Sequence, residues 1–223
     1  MTRKAAIIHA VPSLVGMFDR LASELIPDVS ILHLADDGLL RELRASGTLT
    51  ESLMERLTRL ATFAEAYGAE VVMFNCSSLS PLVEQVGKRV QVPVFTVDEA
   101  MAEQAVKLGT RIGVLATLQN TLAPTSDLLR RRAAVNGKAV VVETVMCEGA
   151  FDAFRRGDMK AHDNLVLSRL DELTERVDVV VLAQASMARA IEGSPKPRVP
   201  VLASPRLGVE RLKQILDSLQ PEN

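Results

Sequence analysis

The chain has 223 residues, of which 48% are hydrophobic and 24% charged, and its formal net charge is −2. This length suits one large globular domain or two small ones, and the near-neutral charge gives no electrostatic signature of nucleic-acid binding. No apolar run is long enough to span a bilayer. Two cysteines and three scattered histidines form neither a disulfide framework nor a metal-ligand pattern. We therefore expect a cytoplasmic protein without a metal and with neither nucleic-acid nor membrane partners.

Short apolar runs alternate with longer helical patterns along the whole chain. The N-terminal stretch MTRKAAIIHAV resembles a first strand rather than a signal peptide, because it lacks a small-residue cleavage site. The predicted strands are 5–10, 29–34, 70–75, 93–97, 111–117, 139–145, 178–183 and 200–204. Helices are predicted at 50–70, 98–109 and 161–176; the first has Leu53, Leu57, Leu60 and Phe63 at helical spacing and Gly68 at its end. This alternation, with strands rich in Val, Ile and Leu, predicts an α/β fold with parallel sheets.

The chain also repeats itself in three blocks that occur in the same order. EVVMFNCSS at 70–78 aligns with DVVVLAQAS at 178–186, VPVF at 92–95 with VPVL at 199–202, and KAAIIHA at 4–10 with RIGVLAT at 111–117. We interpret the blocks as two similar flavodoxin-like halves, 1–97 and 98–204, with the C-terminal helix at 205–223 completing the first. The alternative is that any two Val-rich α/β halves look alike.

The duplication predicts where a ligand would bind. In open α/β sheets, ligands bind beyond the carboxyl ends of the strands. Two halves related by a pseudo-twofold would place Cys76 and its repeat counterpart Gln184 on opposite sides of one cleft. The active site is therefore expected in the cleft between the halves.

Cys76 follows a buried strand directly and precedes a helix, for which Ser80 is the predicted N-cap and Pro81 the first residue. Backbone N–H groups at a helix start stabilise a thiolate, and such a thiolate can transfer a proton or attack a carbon. The alternative is an inert packing cysteine, since cysteine is among the most buried residue types.

Several polar or small residues lie beside the predicted strand ends and could bind a substrate. Ser77 and Ser78 offer backbone N–H groups and hydroxyls to a carboxylate oxygen, although serines are also common in turns. Thr117 and Thr121 could bind a second oxygen or could simply cap a helix. The remaining candidates are Pro12 and Ser13 in the first half and Ala185 and Ser186, the counterparts of the two serines, in the second.

Two further residues are predicted to belong to the core rather than to the site. His9 lies at the end of the first strand among apolar neighbours, where a satisfied core histidine is the commoner case. Cys147 follows a strand that does not correspond to the one before Cys76, so we assign it to packing.

In their order and spacing, these features resemble the aspartate/glutamate/hydantoin racemase superfamily. The resemblance rests on the duplicated halves, the strand followed by Cys-Ser-Ser, RIGVLAT with a downstream threonine, and VPVFTVDEA at 92–100. It implies a cofactor-independent enzyme acting on a small carboxylate, with Cys76 as the first catalytic cysteine and Ser77 and Ser78 as carboxylate ligands. Asn75, directly before Cys76, joins the expected substrate-binding residues. Relatives often pair, so a homo-oligomer, dimer or larger, is also expected.

The chain departs from the superfamily at the second cysteine, which should lie at Gln184. A glutamine amide cannot exchange a proton at neutral pH. Three functions therefore stay open: a racemase or isomerase, a single-cysteine decarboxylase of a malonate or β-keto acid, and a non-catalytic small-carboxylate binding protein. Gln184 would be a specificity residue that binds the substrate, or a sign of a degenerate site. A cofactor carrier is excluded because no Gly-rich phosphate loop follows any strand.

Overall fold

The computed structural model describes residues 2–192, 194 and 196–219. Residues 220–223 of the predicted C-terminal segment, and the single residues 1, 193 and 195 of the predicted halves, lie outside this range. The chain divides into two compact units, one made of residues 1–97 together with the chain from Arg206 onward, and the other of residues 98–205. Among the described residues, no helix is both long enough and apolar enough to cross a membrane.

The first unit is built on one parallel sheet. Its strands are β1 (Arg3–His9), β2 (Val29–Ala35), β3 (Val72–Asn75) and β4 (Val94–Thr96), in the spatial order β2-β1-β3-β4. Its helices are α1 (Val15–Leu25), α2 (Asp37–Ser46), α3 (Glu51–Ala66) and α4 (Ser80–Gly87). Short 3₁₀ turns at Pro12–Leu14 and Ser77–Leu79 follow β1 and β3, the two central strands.

The second unit repeats this topology. Its strands are β5 (Arg111–Ala116), β6 (Val141–Met146), β7 (Val179–Leu182) and β8 (Val201–Ala203), all parallel and in the order β6-β5-β7-β8. Its helices are α5 (Glu99–Leu108), α6 (Gln119–Val135), α7 (Ala150–Arg155), α8 (Met159–Thr174) and α9 (Ala188–Ile191), with a 3₁₀ turn at Ala185–Met187 after β7. The last helix, α10, spans Ser204–Ser218.

The predicted α/β class with two similar parallel-sheet halves is confirmed, because each predicted strand has its counterpart and both sheets share one strand order. The central strands β3 and β7 are buried at every position, as expected for strands covered by helices on both faces. Their continuous apolar runs have no polar alternation, so burial on both faces was readable from the sequence.

Helix α3 confirms one predicted boundary and corrects one predicted face. The Thr50 hydroxyl caps its start by accepting from the Leu53 N–H at 3.2 Å, and Gly68 follows its end at φ +95°, a conformation that favours glycine. The buried face is formed by Leu53, Met54, Leu57, Ala61 and Ala64. Phe63, which the spacing placed on that face, is 57% exposed, because the packed face continues through the two alanines.

The amino ends of the two central strands carry the same acidic contact, which supports the duplication. The carboxylate of Glu70 accepts from the Lys4 N–H at 3.1 Å, and that of Asp178 accepts from the Arg111 N–H at 2.8 Å. The repeat aligns Glu70 with Asp178 and Lys4 with Arg111. The equivalent bond therefore recurs at equivalent positions, which chance similarity between Val-rich strands does not explain.

These bonds also lower the pKa of both carboxyl groups. The main cause at Glu70 is its side-chain bond with Arg3, which lies 2.6 Å away. The main cause at Asp178 is the backbone N–H of Arg111. In each case a hydrogen-bond donor stabilises the ionised form.

Candidate active site

The first unit places the predicted cysteine and the predicted rim residues at the same edge of its sheet. Cys76 follows β3 directly, and Pro12 and Ser13 lie in the 3₁₀ turn after β1, the neighbouring strand. Cys76 is half-buried, whereas Pro12 and Ser13 are exposed. Neighbouring parallel strands end at one edge, so these residues share the position where ligands bind in open α/β sheets.

A 3₁₀ turn fixes the backbone after Cys76. Cys76 itself is extended, with φ −161° and ψ 101°, and its carbonyl accepts from the Leu79 N–H at 3.1 Å. Ser77 and Ser78 form the first part of this turn and are buried, with 8% and 3% of their surface exposed. The turn makes a tight corner that carries the chain from the strand into α4.

The predicted N-cap at Ser80 is wrong. Helix α4 begins at Ser80, and its N-cap is Leu79, which makes no side-chain capping bond. The Ser80 hydroxyl instead lies 3.5 Å from the Cys76 carbonyl, to which it donates. The sequence pattern missed the intervening 3₁₀ turn, which brings the helix start forward by one residue and turns a capping hydroxyl toward the cysteine backbone.

In the second unit, Gln184 is joined to both predicted threonines. Its Oε1 atom accepts from the Thr117 N–H at 2.7 Å and from the Thr117 hydroxyl at 3.2 Å. Its Nε2 amide donates to the Thr121 hydroxyl, which in turn donates to the Leu118 carbonyl at 2.7 Å. The threonines do not cap α6, because its N-cap is Leu118, without a side-chain bond. Their common partner is the glutamine.

The turn after Gln184 copies the turn after Cys76. The Gln184 carbonyl accepts from the Met187 N–H at 3.1 Å, the same distance as in the first unit. Ala185 and Ser186 are buried, as Ser77 and Ser78 are. Each unit therefore brings its own predicted residues together at the carboxyl edge of its own sheet. The substrate-binding roles of these residues stay predictions.

A buried polar network that the sequence did not predict lies beneath Cys76. Asn75, the last residue of β3, is 4% exposed, and its Nδ2 atom lies 3.0 Å from Nδ1 of the fully buried His9. The Nε2 atom of His9 lies 2.9 Å from Nδ1 of His33. His9 is thus a hydrogen-bonded core histidine, as predicted. In the sequence, the feature that could have indicated His33 as a member of this network was its position on the strand predicted to follow β1.

Burial and the charge of a neighbour act on the pKa values of both histidines. Desolvation, followed by the nearby His33, lowers the pKa of His9 to about 4. Desolvation also lowers the pKa of His33, against the opposing effect of Asp19. His9 is therefore neutral at physiological pH.

Cys147 belongs to the core, as predicted. It is 1% exposed and packs in a cluster with Leu115, Val166 and Leu182. Burial raises the pKa of its thiol to about 12, so it is protonated and unreactive at neutral pH. Among the described residues, no three His, Cys, Asp or Glu side chains come together as metal ligands.

Comparison with known proteins identifies the family. The profile described as "Asp/Glu/Hydantoin racemase" matches residues 14–212. The chain belongs to this family. A curated glutamate racemase from Trichodesmium erythraeum (strain IMS101) is 34% identical over 94 residues, which cover 41% of this chain and 33% of that protein. The match thus spans about a third of the length of this relative.

Solved structures of racemases share the fold of this chain. Glutamate racemase RacE1 from Bacillus anthracis superposes with a TM-score of 0.74 at 16% identity, covering 97% of this chain and 82% of that one. Aspartate racemase from Picrophilus torridus gives 0.72 at 17% identity, covering 96% and 94%. Allantoin racemase from Klebsiella pneumoniae gives 0.68 at 14% identity, covering 97% and 88%. The fold is therefore that of the racemases.

Proposed function

We propose that this member of the Asp/Glu/hydantoin racemase family is a cofactor-independent enzyme of the racemase or isomerase type that acts on a small carboxylate through Cys76. The observation that carries the proposal is the position of Cys76: a half-buried thiol directly after a central parallel strand. Cys147 is buried with a raised pKa, so Cys76 is the cysteine suited to the chemistry.

In the proposed reaction, the Cys76 thiolate takes the proton on the carbon next to the substrate carboxylate. The electron pair left behind delocalises into the carboxylate, whose oxygens then carry additional negative charge. Water on the face opposite Cys76 returns a proton to the carbon and inverts the centre, and the thiol of Cys76 releases its proton to solvent. Backbone N–H groups and hydroxyls of Ser77 and Ser78 would stabilise that charge. Pro12 and Ser13 would shape the first-half rim. In the second half, the proposed substrate-binding residues are Thr117, Thr121, Gln184, Ala185 and Ser186.

One observation favours a second candidate, a single-cysteine decarboxylase. The residue at the second cysteine position, Gln184, is an amide whose oxygen already accepts two bonds from Thr117, and an amide cannot exchange a proton. A one-sided reaction needs no second base. A malonate or β-keto acid would lose carbon dioxide, and the resulting carbanion would take the thiol proton of Cys76, which solvent then restores.

Proton exchange in heavy water separates these candidates. Wild type, Cys76→Ala and the core control Cys147→Ala would each be incubated with small amino and hydroxy acids and with malonates. Deuterium at the α-carbon, with wild type and Cys147→Ala but not Cys76→Ala, supports the isomerase. Release of carbon dioxide with the same dependence on Cys76 supports the decarboxylase. Equal results for wild type and Cys76→Ala on every substrate would overturn both, and saturable binding without turnover would then indicate a binding protein.

A second variant tests the alignment of the two halves. Gln184→Cys restores a thiol at the second cysteine position. Gln184→Ser is the matched control, because serine is similar in size to cysteine but its hydroxyl has no pKa useful for proton transfer. Racemisation, followed by circular dichroism of the substrate, should rise in the first variant and not in the second. No rise in either variant would mean that position 184 is not where the second base belongs.

The assembly, location and domain boundaries are also proposals. We propose a cytoplasmic homo-oligomer, dimer or larger, with halves at 1–97 and 98–204 and the segment at 205–223 completing the first. Light scattering coupled to size exclusion measures the assembly, and a monomeric mass would contradict it. Residues 98–204 expressed alone should unfold cooperatively, and a fragment without a cooperative unfolding transition would contradict the boundaries.

A further inference from the structure

A continuous line of buried polar side chains runs through the first unit to the residue before Cys76. Asn75 Nδ2 lies 3.0 Å from His9 Nδ1, and His9 Nε2 lies 2.9 Å from His33 Nδ1. The line ends near the surface, where His33 Nε2 faces Asp19 Oδ1 at 3.8 Å. His9 is completely buried and Asn75 is 4% exposed, so these contacts belong to the interior.

The contacts allow one arrangement of protons. An amide nitrogen can only donate, so Nδ1 of His9 must accept and carries no hydrogen. Neutral His9 therefore has its proton on Nε2, from which it donates to Nδ1 of His33. The proton of neutral His33 then lies on Nε2, toward Asp19. The tautomers of both rings are fixed in series by the amide of Asn75.

The second unit has no such network at the equivalent position. The parallel register pairs His9 with Asn75 in the first sheet. In the second sheet, Leu115 pairs with Leu182, so Ala116 and Ala183 follow as the equivalent residues. Both alanines are buried and neither has a polar side chain. The network is therefore present in the unit that carries the cysteine and absent from these positions in the unit that carries the glutamine.

The network holds the peptide from which Cys76 projects. The peptide bond between Asn75 and Cys76 is planar, so fixing Asn75 also fixes the position of the Cys76 backbone nitrogen. On its other side, the Cys76 carbonyl accepts from the Leu79 N–H at 3.1 Å. The cysteine backbone is thus held before and after the thiol-bearing residue, by a buried side-chain network and by a turn.

We propose that His9 is a positioning residue that, backed by His33, holds Asn75 and thereby fixes the direction of the Cys76 thiol. Its catalytic consequence rests on the proposed function, but the positioning itself does not. Asn75, predicted from the sequence to bind the substrate, then acts by donating inward to His9. The effect on the rate follows from the sensitivity of catalysis to small displacements of a reacting group.

The reactivity of Cys76 can be measured without a substrate. Cys147 is 1% exposed and its pKa is raised to about 12, so iodoacetamide at neutral pH reports on Cys76. An asparagine side chain places its oxygen where Nδ1 of histidine lies, and a glutamine reaches toward the position of Nε2. His9→Asn therefore keeps an acceptor for Asn75, whereas His9→Gln keeps the contact with His33 and loses the one with Asn75.

The expected order of alkylation rates separates positioning from mere burial. His9→Asn should alkylate Cys76 at the wild-type rate, and His9→Gln should differ from it severalfold. His162→Asn is the matched control, because His162 is also completely buried but lies in the second unit, and it should leave the rate unchanged. Equal rates in all four proteins would overturn the proposal, as would a change in His9→Asn as large as that in His9→Gln.

Turnover gives an independent readout. On a substrate that wild type converts, His9→Gln should lower kcat by about tenfold or more with little change in KM, and His9→Asn should restore it. If position 9 does not tolerate substitution, Asn75→Leu removes the same bond from the other side and should alter the alkylation rate in the same way; an unchanged rate would overturn the proposal. Failure of the proposed function is separate, since it appears as equal turnover by wild type and Cys76→Ala.

Discussion

At the carboxyl edges of the two sheets, residues at different strand positions make the polar contacts. In the first unit the buried pair is His9 and Asn75, one residue before Cys76. In the second unit those positions are alanines, and the polar contacts are made one residue later by Gln184, which bonds Thr117 and Thr121. The topology and the turns that follow are the same in both units.

This difference shows how one duplicated framework can use the same strand end in two ways. In the first unit, a buried network at Asn75 stabilises the backbone, and the next residue, Cys76, projects from the strand end. At Gln184, the residue at the strand end is itself part of the network that holds the loop. A bonded amide stabilises structure, whereas a half-buried thiol is suited to proton transfer. The comparison can be tested by removing these groups one at a time.

The largest expected effect is on turnover when the thiol is removed. Cys76→Ala should lower the rate by about 10²- to 10⁴-fold, the range for loss of a general acid or base. Its free energy of unfolding should change little, because the side chain is half-buried. Initial rates and denaturant unfolding, with Cys147→Ala as the control that keeps its rate, measure both quantities. A Cys76→Ala protein with the wild-type rate would contradict the catalytic role that the comparison assigns to the strand end at Cys76.

The next effect is a loss of stability in acid that depends on His9. Its folded pKa of about 4 lies below the ordinary 6.5, so the unfolded chain binds the proton more readily between these values. The contribution of neutral His9 is present above pH 6.5 and falls as the pH drops, by about 3 kcal/mol once below the folded pKa.

Denaturant unfolding as a function of pH measures this contribution. His9→Asn cannot titrate, so its free energy of unfolding should fall less steeply than that of wild type between pH 6.5 and 4. The equivalent Ala116 makes no such contribution in the second unit. Parallel curves for the two proteins would contradict the neutral state assigned to His9.

Removing the amide of Gln184 should destabilise the protein. Gln184→Leu deletes the bonds with Thr117 and Thr121 and leaves buried donors without their acceptor, which should cost about 2 to 3 kcal/mol. The exposed Gln91 is the control, and Gln91→Leu should change stability by less than about 0.5 kcal/mol. Chemical unfolding measures both. If Gln184→Leu is as stable as its control, the glutamine is not the structural residue that the comparison requires.

The smallest effect should be the same in both units. Glu70→Gln and Asp178→Asn each weaken the repeated contact at the amino ends of the central strands. Because the folded pKa of each carboxyl group is lowered, its contribution is present above the ordinary pKa and is lost as the pH falls through the folded value. The difference from wild type should therefore shrink in acid. The control Glu84→Gln, at an exposed ion pair, should change the free energy of unfolding little. A large effect in one unit alone would argue against an equivalent role.

Several local features were predictable because they depend on neighbours in the chain. Continuous apolar runs marked β3 and β7 as buried on both faces, and Gly68 marked the end of α3 because glycine adopts positive φ easily. The position of Cys76 at a strand end followed from the same pattern. Errors occurred where packing overrides periodicity: Phe63 is exposed, and a 3₁₀ turn moves the start of α4 to Ser80.

Three features could be read from the amino-acid sequence: the α/β class, the duplication, and the equivalence of Cys76 and Gln184 at two strand ends. The side-chain contacts around them became known from the folded chain. His9 meets Asn75 across 66 residues of chain, and Thr117 meets Gln184 across 67. Such bonds depend on the register of parallel strands joined by long crossovers, which local periodicity does not encode. For that reason the sequence could align the glutamine with Cys76, and the fold was needed to show that its amide holds two threonines in place.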